Sequence, residues 1–126
     1  MATSGREPWA ESFLCAGAGI LAALKSERNL RFDVVFGLAT VGLGLAIGLN
    51  AYEWVAVVIC ITAVFAAEVF NTAIEATVDL VSPERCDLAR LAKDASAGAT
   101  LICAAGSAVV GLLIFLPKVL ALLSRL

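Results

Sequence analysis

Apolar positions are concentrated in four long blocks of this chain, and the first block has the period of an α-helix. In the first block, residues 9–26, apolar and small side chains recur at steps of three and four residues: Trp9, Phe13, Ala16, Gly17, Ile20 and Leu24. Such a stripe is typical of one face of a helix. The block is too short and too polar at its ends to cross a bilayer, so we expect an amphipathic helix lying on the membrane surface. An ordinary helix that packs on the rest of the protein would show the same stripe.

The three later blocks, residues 32–52, 54–80 and 95–116, are long and apolar enough to form transmembrane helices. The last of them has 22 residues without a charge, and about 20 apolar residues span the hydrocarbon core of a bilayer. A short turn at residues 50–53, flanked by aromatic side chains, separates the first two. The third follows a polar connection and ends at Pro117, because proline interrupts a helix.

The composition supports a membrane protein with a single domain, residues 1–126. The chain is 61% hydrophobic and 16% charged, with a mean hydropathy of +0.96, which is far more apolar than a soluble domain of this size. The net charge of −2 and the absence of a basic run argue against nucleic-acid binding. The N-terminal residues lack the apolar core of a signal peptide, so we expect insertion to depend on the spans themselves.

Two residue types narrow the chemistry further. The chain has no histidine, which removes the commonest general base and metal ligand. Its four cysteines are scattered without a C-x-x-C pair. We therefore interpret them as small apolar side chains rather than as disulfides or zinc ligands.

The basic residues predict an orientation, because they accumulate on the cytoplasmic side of membrane proteins. They precede the first span or lie between the second and third: Arg6, Lys25, Arg28, Arg31, Arg85, Arg90 and Lys93. The turn at residues 50–53 has none, although Lys118 and Arg125 run against the trend. We expect the N-terminus and the second connection to face the cytoplasm of a bacterium, so that all the dense polar clusters lie on that side of its membrane.

Four oxygen-bearing side chains near the end of the second span share one face of its helix. At 100° per residue they fall in an arc about 80° wide: Glu68, Asn71, Glu75 and Asp79. Acidic groups at membrane depth are costly and usually functional. This stretch is therefore predicted to be the working site of a membrane enzyme.

These residue types suit phosphate chemistry assisted by a metal ion. Mg²⁺ prefers carboxylate and amide oxygens, which Asn71 and Glu75 supply, and Glu27 could approach from the charged segment after the first helix. Lys93 offers a positive charge for a phosphate, and the deeper Glu68 is a candidate general base. Phosphoryl transfer to a lipid hydroxyl is one of several reactions that fit, although the chain has no P-loop or kinase-type glycine loop.

Each of these side chains also has a structural interpretation. Glu68 could be a protonated acid that bonds between packed helices. Asn71 could join two helices through a hydrogen bond that contributes about 0.6 kcal/mol. Asp79, like the acid one turn before it, could extend to the interface and pair with Arg28 or Arg31.

Two segments of the chain resemble the signature of the small bacterial membrane kinases of the diacylglycerol kinase family: residues 68–79, E-V-F-N-T-A-I-E-A-T-V-D, and residues 92–99, A-K-D-A-S-A-G-A. The resemblance extends to residues 27–29, E-R-N, and to residues 112–118, L-L-I-F-L-P-K. It covers nearly the whole chain. Residues 27–29 and 112–118, together with residues 78–84, V-D-L-V-S-P-E, look most like the Gram-positive branch of the family. Members of that branch phosphorylate undecaprenol.

The resemblance implies an ATP- and Mg²⁺-dependent lipid kinase and assigns roles by position. Glu27 and Glu75, with Asn71 in support, match the ligands of the Mg²⁺ that accompanies ATP. The two glutamates also belong to the implied nucleotide site, whose other members are Glu84, Arg85, Cys86, Lys93 and Asp94.

The lipid site implied by the resemblance centres on Glu68, which matches the base that deprotonates the lipid hydroxyl, together with Arg31 and Ala97. Two positions depart from the family pattern. Cys86 stands where the family has a histidine, and Pro8 stands where the surface helix has an arginine. Both departures concern contacts around the site rather than the residues assigned to chemistry.

Family members are homotrimers of three-span subunits that share active sites, which implies that Glu27 acts with a neighbouring subunit's Glu68 and Glu75. The lipid is undecaprenol or, as an alternative, diacylglycerol. A function of another class is a small proton- or ion-coupled transport subunit that uses Glu68 as a relay. Against it, the acids cluster at one end of the spans, whereas transporter sites tend to lie near the midplane.

Overall fold

The computed structural model of the chain describes residues 8–84 and 86–125. All regular structure in these ranges is helical, in four helices: α1 (Pro8–Ser26), α2 (Arg28–Ile47), α3 (Ala51–Val81) and α4 (Asp87–Leu123). The last three are long and apolar enough to cross a membrane. This confirms an all-α architecture with three candidate spans, whereas the surface position of α1 stays a prediction.

The connection between α2 and α3 is a tight turn held by local hydrogen bonds. Gly48 ends α2 in the left-handed conformation, with φ of 78°, which glycine adopts without steric cost. Asn50 then caps α3: its Oδ1 accepts from the Glu53 N–H at 3.0 Å, and the Glu53 carboxylate accepts from the Asn50 N–H at 2.8 Å. The predicted turn at residues 50–53 is therefore wrong by a few residues, because this reciprocal cap begins the helix at Ala51.

Helix α4 is longer at both ends than the sequence pattern predicted. It begins at Asp87, after Cys86 as its N-cap, so most of the polar connection is helical. It also continues through Pro117 to Leu123, where we had expected the helix to end. Proline removes one backbone hydrogen bond, but long apolar helices tolerate it where neighbouring groups hold the segment. Here the next residue, Lys118, is tied to α3 through Glu53 at 3.2 Å.

Helices α3 and α4 form the main antiparallel pair, and two interhelical hydrogen bonds show their register. Ser107 Oγ donates to the Cys60 carbonyl at 3.4 Å, and Ser96 Oγ donates to Asn71 Oδ1 at 2.6 Å. The two bonds are eleven residues apart on each helix, about three turns. The same seam between the helices therefore carries both.

Few side chains are enclosed by the chain itself. Leu30 is fully buried and Val57 nearly so, whereas large apolar side chains such as Phe36 and Leu101 are 77% and 70% exposed. Exposed apolar surface on this scale indicates a lipid environment or a partner subunit. Helix α2 has 20 residues and α3 has 31, about 30 and 46 Å at 1.5 Å per residue. The last turns of α3 therefore extend beyond the start of α2.

Candidate active site

Acidic side chains from α2 and α3 meet where α2 begins and where α3 approaches its end. Gly37 of α2 lies against Ile61 and Phe65 of α3, so closely that a Cβ on the glycine would be 3.6 and 3.7 Å from their side chains. Both helices rise by about 1.5 Å per residue and run in opposite directions. Asp33 precedes Gly37 by four residues and Glu68 follows Phe65 by three, so these two acids lie at the same level.

The carboxylates of Asp33, Glu27 and Glu75 are all near enough to Glu68 to act on it electrostatically. Together these four acids form what we call the carboxylate end of the helix bundle. Glu68 is half-buried, and none of the ion pairs among residues 8–84 and 86–125 includes it. Like charges held together without a paired cation are costly, which is typical of a functional site.

Asn71 and Glu75 lie one turn apart on α3 and are joined directly. The Asn71 amide nitrogen donates to Glu75 Oε1 at 3.2 Å. On its other side, Asn71 Oδ1 accepts the hydroxyl proton of Ser96 from α4. The Ser96 hydroxyl also lies 2.9 Å from the carbonyl oxygen of Lys93. A continuous chain of polar contacts therefore connects α4 to the Glu75 carboxylate.

Lys93 of α4 forms an ion pair with Asp79 of α3, with 2.6 Å between Nζ and Oδ1. The structural alternative in which Asp79 pairs with Arg28 or Arg31 is therefore wrong. The seam between α3 and α4 places Lys93 beside Asp79, whereas the arginines lie on another helix. Both charged groups remain partly exposed, at 35% for the lysine side chain and 66% for the aspartate, so an incoming anion can reach the lysine.

Arg31 is used to join α1 to α2. Its Nη1 donates to the carbonyls of Leu24 and Lys25, at 3.1 and 2.9 Å, in the last turn of α1. Glu27 lies between the two helices as the N-cap of α2, yet its side chain makes no capping hydrogen bond. The Glu27 carboxylate therefore does not cap α2.

The remaining predicted nucleotide residues lie in the connection before α4 and in its first turns. Glu84 and Asp94 are exposed, and Asp94 pairs with Arg90 on the same helix at 3.5 Å. Arg85 lies outside the described residues. Ala97, predicted at the lipid site, is exposed on α4.

Cys86 is exposed and accepts the N–H of Ala89 at 3.4 Å, while the Ser82 hydroxyl lies 3.6 Å from its sulfur. These two contacts, the backbone one first, lower the pKa of the Cys86 thiol. The other cysteines are also free thiols.

An open groove of about 850 Å³ runs along α2, α3 and α4 from Asp33 towards Leu116. Its lining is almost entirely apolar. The two hydroxyl groups in the lining are already used, since Thr40 donates to the Phe36 carbonyl at 2.8 Å and Ser107 donates to the Cys60 carbonyl. The groove therefore suits a hydrocarbon chain whose polar end reaches the acids around Asp33.

The described part of a single chain does not gather a complete metal centre. Among residues 8–84 and 86–125, no three acidic, cysteine or histidine side chains lie close enough together to hold an ion. The structure brings Asn71 and Glu75 into contact and places Glu27 near Glu68. The roles assigned to these residues remain predictions.

Sequence reasoning missed two residues of this site. Asp33 is not among the predicted site residues, although the antiparallel register of α2 and α3 places it beside Glu68. Ser96 was not singled out, because one serine in an apolar helix carries no signal without the register of α3 and α4.

Together, the three long apolar helices and the acids at one end define a membrane protein with a polar site next to an apolar groove. Residues 14–115 match the sequence model of the family described as prokaryotic diacylglycerol kinase. The chain belongs to this family of membrane lipid kinases. This confirms the resemblance predicted from its motifs, and the comparisons with known proteins do not support the transport alternative.

Three relatives agree with this assignment. An undecaprenol kinase of Bacillus subtilis (strain 168) is 43% identical over 108 residues, which is 86% of this chain and 88% of the relative. A diacylglycerol kinase of Synechocystis is 34% identical over 113 residues, 89% of this chain and 65% of that protein. A diacylglycerol kinase of Pseudomonas aeruginosa is 34% identical over 86 residues, 68% and 69% of the two chains.

Proposed function

We propose that this protein transfers the γ-phosphoryl group of ATP, with Mg²⁺, to the hydroxyl of undecaprenol in the cytoplasmic membrane of a bacterium. The observation that supports this most directly is the position of Glu68 among like charges, level with Asp33 at the polar end of an apolar groove. A lipid hydroxyl at that end of the groove would be within reach of an acid that has no paired cation among the described residues.

Glu68 would act as the general base. As the oxygen of the lipid hydroxyl attacks the γ-phosphorus, its proton passes to the Glu68 carboxylate. The new oxygen–phosphorus bond forms while the bond to the β-phosphate oxygen breaks, and ADP leaves. General bases of this kind contribute about 10²- to 10⁴-fold to the rate.

The donor set fits Mg²⁺, which takes hard oxygen ligands and commonly shares them with nucleotide phosphates. Glu75 would bind the ion, with Asn71 in support and Glu27 as a further carboxylate. When bound, the ion would neutralise charge on the transferred phosphoryl group. Because the described residues of one chain do not bring three acidic ligands together, we propose that a neighbouring subunit of a homotrimer completes the site.

The nucleotide would lie at the start of α4. Lys93 would exchange its ion pair with Asp79 for one with the ATP phosphates, and this exchange is feasible because both groups are partly exposed. Helix N-termini attract phosphate groups, and α4 begins nearby at Asp87. Glu84, Arg85, Cys86 and Asp94 are the other proposed contacts.

The groove favours undecaprenol over diacylglycerol. Diacylglycerol carries two ester groups whose carbonyls accept hydrogen bonds, whereas a polyprenol is hydrocarbon up to its hydroxyl. The hydroxyl groups of Thr40 and Ser107 in the described lining already donate to backbone carbonyls. They therefore have no free hydrogen to donate to an ester carbonyl, which would lose its hydrogen bonds on leaving the lipid headgroup region. Arg31 and Ala97 are the other proposed lipid contacts.

A direct assay tests this proposal. Purified protein in detergent would be given Mg²⁺, ATP labelled in the γ-phosphate, and either undecaprenol or diacylglycerol. We expect label in the undecaprenol fraction, with a higher kcat/KM than for diacylglycerol. A preference for diacylglycerol would exclude the undecaprenol assignment, and transfer to neither lipid would contradict the proposed reaction.

A further inference from the structure

Ser96 is the polar side chain that the chain buries most completely among its described residues, with 7% of its surface exposed. It lies on the α4 face that packs against α3. Its hydroxyl is 2.6 Å from Asn71 Oδ1 and 2.9 Å from the Lys93 carbonyl. The shorter distance is to the neighbouring helix, so the hydroxyl proton is best placed to join α4 to α3.

Ser96 and Glu75 together hold the Asn71 carboxamide in one orientation. The oxygen and nitrogen ends of the group have nearly the same shape, so its orientation depends on its hydrogen-bond partners. The Glu75 carboxylate only accepts, so it takes the amide nitrogen at 3.2 Å, and the Ser96 hydroxyl donates to the amide oxygen that faces the other way. The Ser96 hydroxyl thereby restrains the Glu75 carboxylate through Asn71.

We propose that Ser96 is a positioning residue for phosphoryl transfer, which acts through Asn71 to hold Glu75 in the orientation needed for Mg²⁺. The inference rests on the proposed function. Groups that orient a metal ligand by hydrogen bonding commonly change metal affinity or activity by about 10- to 100-fold when they are removed. Ser96 itself touches neither the substrate nor the nucleotide in this proposal.

The main test compares Ser96→Ala with Thr100→Val as a matched control. Thr100 lies one turn further along α4, and its hydroxyl donates only to the Ala97 carbonyl of its own helix, at 2.8 Å. We expect Ser96→Ala to lower kcat and to raise the half-saturating Mg²⁺ concentration by about tenfold, and Thr100→Val to change neither. Equal Mg²⁺ dependence of wild-type protein and Ser96→Ala would overturn the inference.

A double-mutant cycle separates positioning from general packing. If Ser96 acts through Asn71, the Ser96→Ala substitution should have almost no further effect on Mg²⁺ dependence in an Asn71→Ala background. Full additivity of the two changes would show that Ser96 acts by another route and would contradict the proposal.

A readout without turnover distinguishes this inference from the proposed function. The chain has three asparagines, Asn29, Asn50 and Asn71, so NMR of protein labelled with ¹⁵N-asparagine should resolve their side-chain amides. We expect Ser96→Ala to shift the Asn71 signals and leave those of Asn50, while Thr100→Val leaves both. Unchanged Asn71 signals would overturn the inference whatever the turnover, whereas absence of lipid phosphorylation by the wild-type protein would overturn the proposed reaction.

Discussion

The two ends of the helix bundle use charged side chains in opposite ways. At the turn between α2 and α3, the Glu53 carboxylate accepts hydrogen bonds from the Asn50 N–H and from Lys118, at 2.8 and 3.2 Å. The side chains of this ion pair are 21% and 29% exposed. At the carboxylate end, Glu68 lies among three other acids. One end neutralises its charge, and the other concentrates it.

This difference indicates which end carries stability and which carries function. Polar groups in an apolar setting are stable when all of them have partners, as they do around Glu53. A cluster of like charges lowers stability, and proteins retain such clusters where the chemistry requires them. We therefore expect substitutions at the two ends to separate folding from turnover.

The largest effect should come from Glu68→Gln. This change removes the proposed base and also one of four clustered negative charges, so turnover should fall by at least about 100-fold while thermal stability is unchanged or higher. Lipid phosphorylation and thermal unfolding of the same detergent preparation measure the two effects. Near-normal turnover would exclude Glu68 as the base.

The opposite result is expected for Glu53→Ala. It removes one half of the Asn50 cap and leaves Lys118 without its partner, which should lower the stability of the fold. Chemical denaturation in detergent measures this loss. The kcat of the folded fraction should remain close to that of the wild-type protein, and a selective loss of turnover with normal stability would contradict the division between the two ends.

A smaller effect should follow from Asp79→Asn, which releases Lys93 from its ion pair. Partly exposed pairs contribute about 0.2–1 kcal/mol, so the KM for ATP should fall by no more than about fivefold. Steady-state kinetics with varied ATP would measure it. Lys93→Met is the control and should raise the KM. A raised KM in Asp79→Asn would instead show that the aspartate itself supports nucleotide binding.

The smallest effect concerns Cys86, whose pKa is lowered by the Ala89 N–H and by Ser82. A lowered pKa in the folded state means that the thiolate adds stability above the unfolded pKa and loses it as the pH falls through the folded pKa. Alkylation should therefore begin at a lower pH in the folded protein than after denaturation. The alkylation rate would be measured as a function of pH in a variant whose only cysteine is Cys86. Ser82→Ala should shift this pH profile part of the way towards that of the denatured protein. Identical profiles before and after denaturation would contradict the lowered pKa.

The sequence predicted the presence of the helices more accurately than their ends. It also predicted the polar face of α3 more accurately than the side chains that this face contacts on other helices. The apolar pattern located all four helices, by its period in the first and by its length in the three spans, because apolar positions determine which surfaces face lipid or protein. It failed at Pro117, which the helix tolerates, and before α4, where Cys86 caps a polar but helical segment. The motif indicated Glu68, Asn71, Glu75 and Lys93, whose roles the structure alone does not test. The pairing of Asp79 with Lys93 and the contact of Ser96 with Asn71 depend on interhelical register, which no local pattern encodes.

The length of α3 has a consequence for where the reaction would take place. Measured along the helix from Ala51, Glu68 lies about 26 Å away and Glu75 about 36 Å away, while the hydrocarbon core of a bilayer is about 30 Å thick. With the turn at one boundary of that core, Glu68 lies just inside the opposite boundary and Glu75 outside it. The proposed proton transfer would then occur within the hydrocarbon core, and the metal ion would bind on the aqueous side of its boundary. The thickness of the bilayer would therefore determine the environment of each carboxylate. A thicker bilayer would place Glu75 inside the hydrocarbon core, and a thinner one would expose Glu68 to water.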